Sequence, residues 1–142
     1  REALKKLCAD YPTNARRYLQ MTANQKGSVG HRMEIDWYTL SAQAGDQKAR
    51  AQLVAFAGPS YEFRTRIAAT QALVDLNYVD NTLLKHLADA ALSPNTRLAA
   101  PALDAFKYYL GKTAYRAQLL AFYRSRNWQA WERDILRPVF EK

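Results

Sequence analysis

Any chemistry in this chain has to come from few side chains. His31 and His86 are the only histidines, and Cys8 is the only cysteine. Neither histidine has a second His, Cys or carboxylate at the helical spacing of a zinc ligand set. Both are expected on the surface, with His86 facing solvent because it falls off the apolar stripe of its helix. Cys8 shares a helix face with Leu4 and Leu7, the place of a small buried hydrophobe rather than of a nucleophile. A lone thiol closes no internal disulfide. Asp75 and Asp80 flank a turn, and Asp89 and Asp104 fall on consecutive helices. Nothing sets the fixed separation that paired acid–base work needs, so caps and solvated faces account for them. Gly27-Ser28-Val29-Gly30 reads as a connector, not as a phosphate-cradling loop.

What remains is a mixture of cations and aromatic rings. The 142 residues carry 21 Lys+Arg against 13 Asp+Glu, a net charge of +8. Arg16-Arg17-Tyr18, Arg64, Arg66, Lys107-Tyr108-Tyr109, Tyr115-Arg116 and Tyr123-Arg124-Ser125-Arg126-Asn127-Trp128 set guanidinium or ammonium groups beside rings. Such surfaces can contact phosphates and stack on bases. The tryptophans have a plainer use. Trp128, Trp131 and Ile135 stand at i, i+3 and i+7, the spacing of a packed helix face.

The elements that would position these residues are helices. The chain has 24 Ala and 17 Leu but only five Val and three Ile, which favours helix over strand. Gly and Pro fall mostly between apolar-periodic stretches. Those stretches predict helices at about 2–10, 13–24, 30–44, 46–57, 60–77, 80–92, 95–110, 112–126 and 128–137. Asp46, Ser60 and Asp80 are placed to cap three of them. Leu84, Leu87, Ala88, Ala91 and Leu92 form one stripe, and Ala99, Ala102, Leu103, Phe106 and Leu110 form the next. Pro101 interrupts the hydrogen bonding of its helix and should bend it. No apolar run is long enough to span a membrane.

The helices repeat. Thr65-Arg66-Ile67-Ala68-Ala69 returns 31 residues later as Thr96-Arg97-Leu98-Ala99-Ala100. Weaker copies begin at Arg32 and Arg133. Each copy falls on the second helix of a pair, and periods in this range mark stacked helical hairpins. The expected fold class is therefore all-α, an α-α superhelix of about four hairpins. Residues 1–142 form one repeat domain, with 1–30 an atypical capping region and 31–142 the regular hairpins. Arg32, Arg66 and Arg97 occupy matching points in the repeat. There they can bind turn carbonyls or acidic groups of the neighbouring hairpin, or project as a row along one wall.

The run Tyr61-Glu62-Phe63-Arg64-Thr65-Arg66-Ile67-Ala68-Ala69, followed by Ser93-Pro94-Asn95-Thr96-Arg97-Leu98-Ala99-Ala100, resembles a HEAT-like repeat. With the Trp-rich last helix, the stretch also resembles the carboxy-terminal helical region of bacterial gluzincin-type zinc aminopeptidases. That resemblance implies a non-catalytic domain that follows a catalytic domain, covers its cleft and shapes peptide access. The chain begins at Arg1 without Met, which fits a fragment of a longer protein. The family's His-Glu-x-x-His motif is absent from this sequence, so no catalytic or metal residue carries over. Zinc would belong to the parent enzyme, and none to this segment. The implied partners are the upstream catalytic domain and the parent's peptide substrate, in a bacterial cytoplasm or periplasm.

On this reading Tyr61, Arg64, Arg66, Arg97, Tyr108 and Tyr109 are the candidate groove or interface contacts. Intrachain domain interfaces are often polar enough to suit them. The alternative from the residues alone is a basic HEAT-like solenoid that binds nucleic acid or serves as a protein-interaction scaffold.

Overall fold

The computed structural model describes residues 31–141, where every regular element is an α-helix. The helices are α1 (Arg32–Gln43), α2 (Gln47–Phe56), α3 (Phe63–Asp75), α4 (Asn81–Ala91), α5 (Thr96–Leu110), α6 (Thr113–Ser125) and α7 (Ala130–Phe140). The all-α class follows. The predicted helices at 2–10 and 13–24, the capping region 1–30, Cys8 and Arg16-Arg17-Tyr18 lie outside the described residues.

Local chemistry explains where the helices begin. Asp46 accepts hydrogen bonds from the amides of Lys48 and Ala49, and Asp80 from that of Leu83, as expected. The third expected cap is corrected. Ser60 stands in a turn closed by the Tyr61 amide on the Gly58 carbonyl, and α3 starts only at Phe63, capped by Glu62. Asn95 caps α5 through the Arg97 amide. At the other end, α7 runs through Pro138 to Phe140, beyond the expected stop. Phe140 stacks on Tyr123 at 4.6 Å and meets Phe106 edge-on at 5.0 Å. That burial offsets the hydrogen bond the proline ring forfeits.

The helices stack as paired layers. α1, α3, α5 and α7 pack on one another in succession, and α4 packs on α6. α2 packs against α3 and α4 against α5, as the first and second helices of a hairpin. A ladder of fully buried leucines runs through the first helices. Leu53, Leu87 and Leu119 each lie seven residues after their N-caps, Asp46, Asp80 and Lys112. In the second helices Ala69, Ala102 and Leu136 take the same place after Glu62, Asn95 and Gln129. Leu73, Phe106 and Phe140 follow one turn later, all buried.

This ladder corrects one expectation. Counted from the caps, Arg66 and Arg97 are not equivalent. Arg66 is the fourth residue after Glu62, whereas Arg97 is the second after Asn95. Two residues rotate a side chain by more than half a turn. Arg66 is accordingly 6% exposed, and Arg97 lies on the surface. The packing register pairs Thr65 with Leu98, both buried, and the Thr65 hydroxyl finds no hydrogen-bond partner there. Among the described residues no helix is long and apolar enough to cross a membrane.

Candidate functional site

The six residues singled out in the sequence fall in four separate places. Arg66 is buried between hairpins. Its Nε donates to the Ala57 carbonyl at 3.0 Å, and its Nη2 to the His86 carbonyl at 3.2 Å and to Asp89 Oδ2 at 3.0 Å. It joins the end of α2 to the middle of α4, and its cationic group is spoken for. Arg64 and Arg97 meet elsewhere, their guanidiniums 5.0 and 5.5 Å from the centre of the Phe63 ring. Tyr61 packs edge-on against Phe56 at 4.9 Å and against His31 at 5.3 Å.

Tyr108 and Tyr109 bind the link between α3 and α4. The Tyr108 hydroxyl donates to Asn77 Oδ1 at 3.0 Å, and that of Tyr109 to the Tyr78 carbonyl at 2.6 Å. The Tyr115 hydroxyl donates to the Asn77 carbonyl. Asn77 sits at φ 57, in the left-handed region that Asn tolerates better than most residues. Three phenols thus hold one tight link, and burial pushes the Tyr109 phenol well above its ordinary pKa. Arg50 lies over the Tyr78 ring at 4.1 Å.

The histidines do different work from each other. His31 Nδ1 is 2.9 Å from Glu34 Oε1. His86 is not the solvent-facing residue its helix position suggested. Its ring is half-buried against Gly58, where an added Cβ would stand 2.9 Å from His86 Cε1. Burial, and then the Arg66 guanidinium, hold its pKa below the ordinary value. Among the described residues no group of His, Cys, Asp and Glu could hold a metal ion.

A concave surface lies towards the last described helix. A cleft of about 440 Å³ opens between α4, the turn after it, and the start of α7. Lys85 and Asp89 line one wall, Arg126, Trp128 and Trp131 the other, and Arg66 the floor. The Trp128 Nε1 donates to the Tyr123 carbonyl at 2.8 Å, and its ring stacks near Tyr123. The Trp131 Nε1 donates to Gln129 Oε1 at 2.9 Å, which holds the indole in place while it stays 51% exposed.

Trp131 and Ile135 depart from the expected packed stripe. Ile135 is 36% exposed, one turn further along α7. The reason is the start of the helix. Gln129 is the N-cap, its amide donating to Glu132 Oε1 at 2.8 Å, so Trp128 lies before the helix rather than on it. The buried face then runs through Leu136 and Phe140, well round the helix from Trp131. Sequence reasoning missed Trp131 and Lys85 as site residues. The Gln129-x-x-Glu132 spacing carried the signal for Trp131, whereas nothing in the sequence brings Lys85 to it.

No protein family, no curated protein and no solved structure matches the chain.

Proposed function

We propose that this chain is a non-catalytic helical-repeat module that docks on a protein surface through the Trp131 cleft. The observation that carries this reading is the fixed, half-exposed Trp131 indole, with Ile135 beside it and cations around it. Large exposed apolar side chains grouped on one face mark interaction sites. Tryptophan and arginine anchor protein interfaces out of proportion to their number. The rest of the chemistry favours the same view, because Arg66, Tyr108 and Tyr109 are committed to holding hairpins together.

The sequence resemblance names the partner. It is the catalytic domain of a zinc aminopeptidase, whose cleft the module covers and whose peptide access it shapes. Zinc would be held by that domain and not by this chain.

The reading frame containing Arg1 is the first test. A His-Glu-x-x-His helix encoded upstream supports the assignment, and a frame without one overturns it. In the parent enzyme, Trp131→Ala with Ile135→Ala should leave zinc content and the module's Tm unchanged. Turnover of long peptides should rise relative to that of short substrates. An unchanged ratio would remove Trp131 from the docking surface.

A further inference from the structure

A second concave surface adjoins the Trp131 cleft. A groove of about 280 Å³ is lined by Tyr123 and Arg124 of α6, by Arg126 and Trp128, and by Arg133, Arg137 and Glu141. Arg126 and Trp128 line both clefts. Four guanidiniums therefore face one carboxylate. That carboxylate is already engaged, since Glu141 Oε2 accepts from the Tyr123 hydroxyl and lies 4.0 Å from Arg137 Nε. Among the described residues Arg124, Arg126 and Arg133 have no carboxylate within ion-pair distance. Arg126 is also positioned in advance, its guanidinium 5.2 Å from the Trp128 ring and 5.3 Å from that of Phe122.

We infer that this arginine groove receives an acidic segment of the protein partner, one whose carboxylates alternate with apolar side chains. Guanidinium forks match carboxylates in pairs. Unpaired cations gathered in one groove attract and orient an oppositely charged segment. The apolar side chains of such a segment have a place as well, at the exposed Trp131 next door.

A nucleic-acid strand fits the surroundings less well. The groove is about 280 Å³ and its arginines are confined to α6, α7 and the link between them, a short span for the successive phosphates of a strand. An indole can stack on a base, but exposed Ile135 offers nothing to a base or a phosphate. The inference rests on the reading that the partner is a protein, and it adds the chemistry of the segment that binds.

The experiment uses the full chain and a short labelled peptide of alternating Glu and Leu, read by fluorescence anisotropy. Controls are the same peptide with Gln for Glu and a single-stranded oligonucleotide. The Glu peptide should bind, more weakly as salt rises, and the Gln peptide should not. Arg124→Glu with Arg133→Glu should weaken binding by about tenfold or more, as expected when charges in a complementary patch are reversed. Lys48→Glu, exposed in the first turn of α2 and away from both clefts, should leave it unchanged. If the double reversal lowers the Tm, Arg124→Gln with Arg133→Gln should still give a clear loss. Equal binding of the Gln peptide, an unaffected arginine variant, or capture of the oligonucleotide in place of the Glu peptide would overturn the inference. The first two of these leave the Trp131 test in the parent enzyme standing, so the two proposals fail separately.

Discussion

His86 shows how a single side chain can make this fold sensitive to pH. Its ring lies against Gly58 and near Arg66, and both burial and that cation hold its pKa below 6.5, against a smaller opposite pull from Asp80 and Asp89. Above that value the imidazole is neutral whether the chain is folded or not. As pH falls below it, the unfolded chain takes up the proton first. Stability is therefore fully present above 6.5 and is lost towards acid. His86→Gln removes this contribution. Its Tm should fall less than that of the parent sequence between about pH 7.5 and about pH 5.5, measured by thermal unfolding. An identical fall in both would mean that the folded state does not disfavour the protonated ring.

At the scale of elements, the question is what joins one hairpin to the next. Apolar ladders supply most of the contact, but Arg66 gives the junction its polar definition. Replacing it with Met keeps the bulk, leaves the Ala57 carbonyl without this donor, and takes from the His86 carbonyl the bond it makes beyond its helix. The expected loss is about 1–3 kcal/mol, since a buried acceptor is stranded. Asp89→Asn should cost less than about 1 kcal/mol, because an exposed carboxylate contributes little, and the Asp89 side chain is 56% exposed. Urea unfolding with an unchanged slope checks both.

The same junction shows where sequence similarity and packing part company. Thr65-Arg66 and Thr96-Arg97 match as letters, but helix starts are set by Glu62 and Asn95, and these lie two residues out of step with the match. A pattern search aligns letters. The chain aligns caps and buried faces.

Over the whole molecule, the packing is nearest-neighbour in kind. α5 touches α3, α4, α6 and α7, whereas α7 at the end of the stack leans chiefly on α5. Stability in such arrays sums repeat and interface contributions, so the ends open first. Amide hydrogen exchange should be slowest in α4 and α5, around Leu83, Leu84, Leu87, Phe106 and Tyr109, and faster along α7. Uniform protection across all the helices would show instead one indivisible cooperative unit.

The sequence by itself determined the described helices, the pairing of α2 with α3 and of α4 with α5, and the Asp46 and Asp80 caps, because these depend on neighbours a few residues apart. Composition also announced a cationic, aromatic surface. Tertiary structure alone decided which cations stay free. Arg66 is consumed by carbonyls 9 and 20 residues away, and Tyr108 and Tyr109 by a link 31 residues back. Lys85 comes to share a cleft with Trp131 only because α6 packs on α4. Which side chain reaches which partner across the stack is fixed by helix rotation and packing distance, and neither is carried by the spacing of residues within one helix.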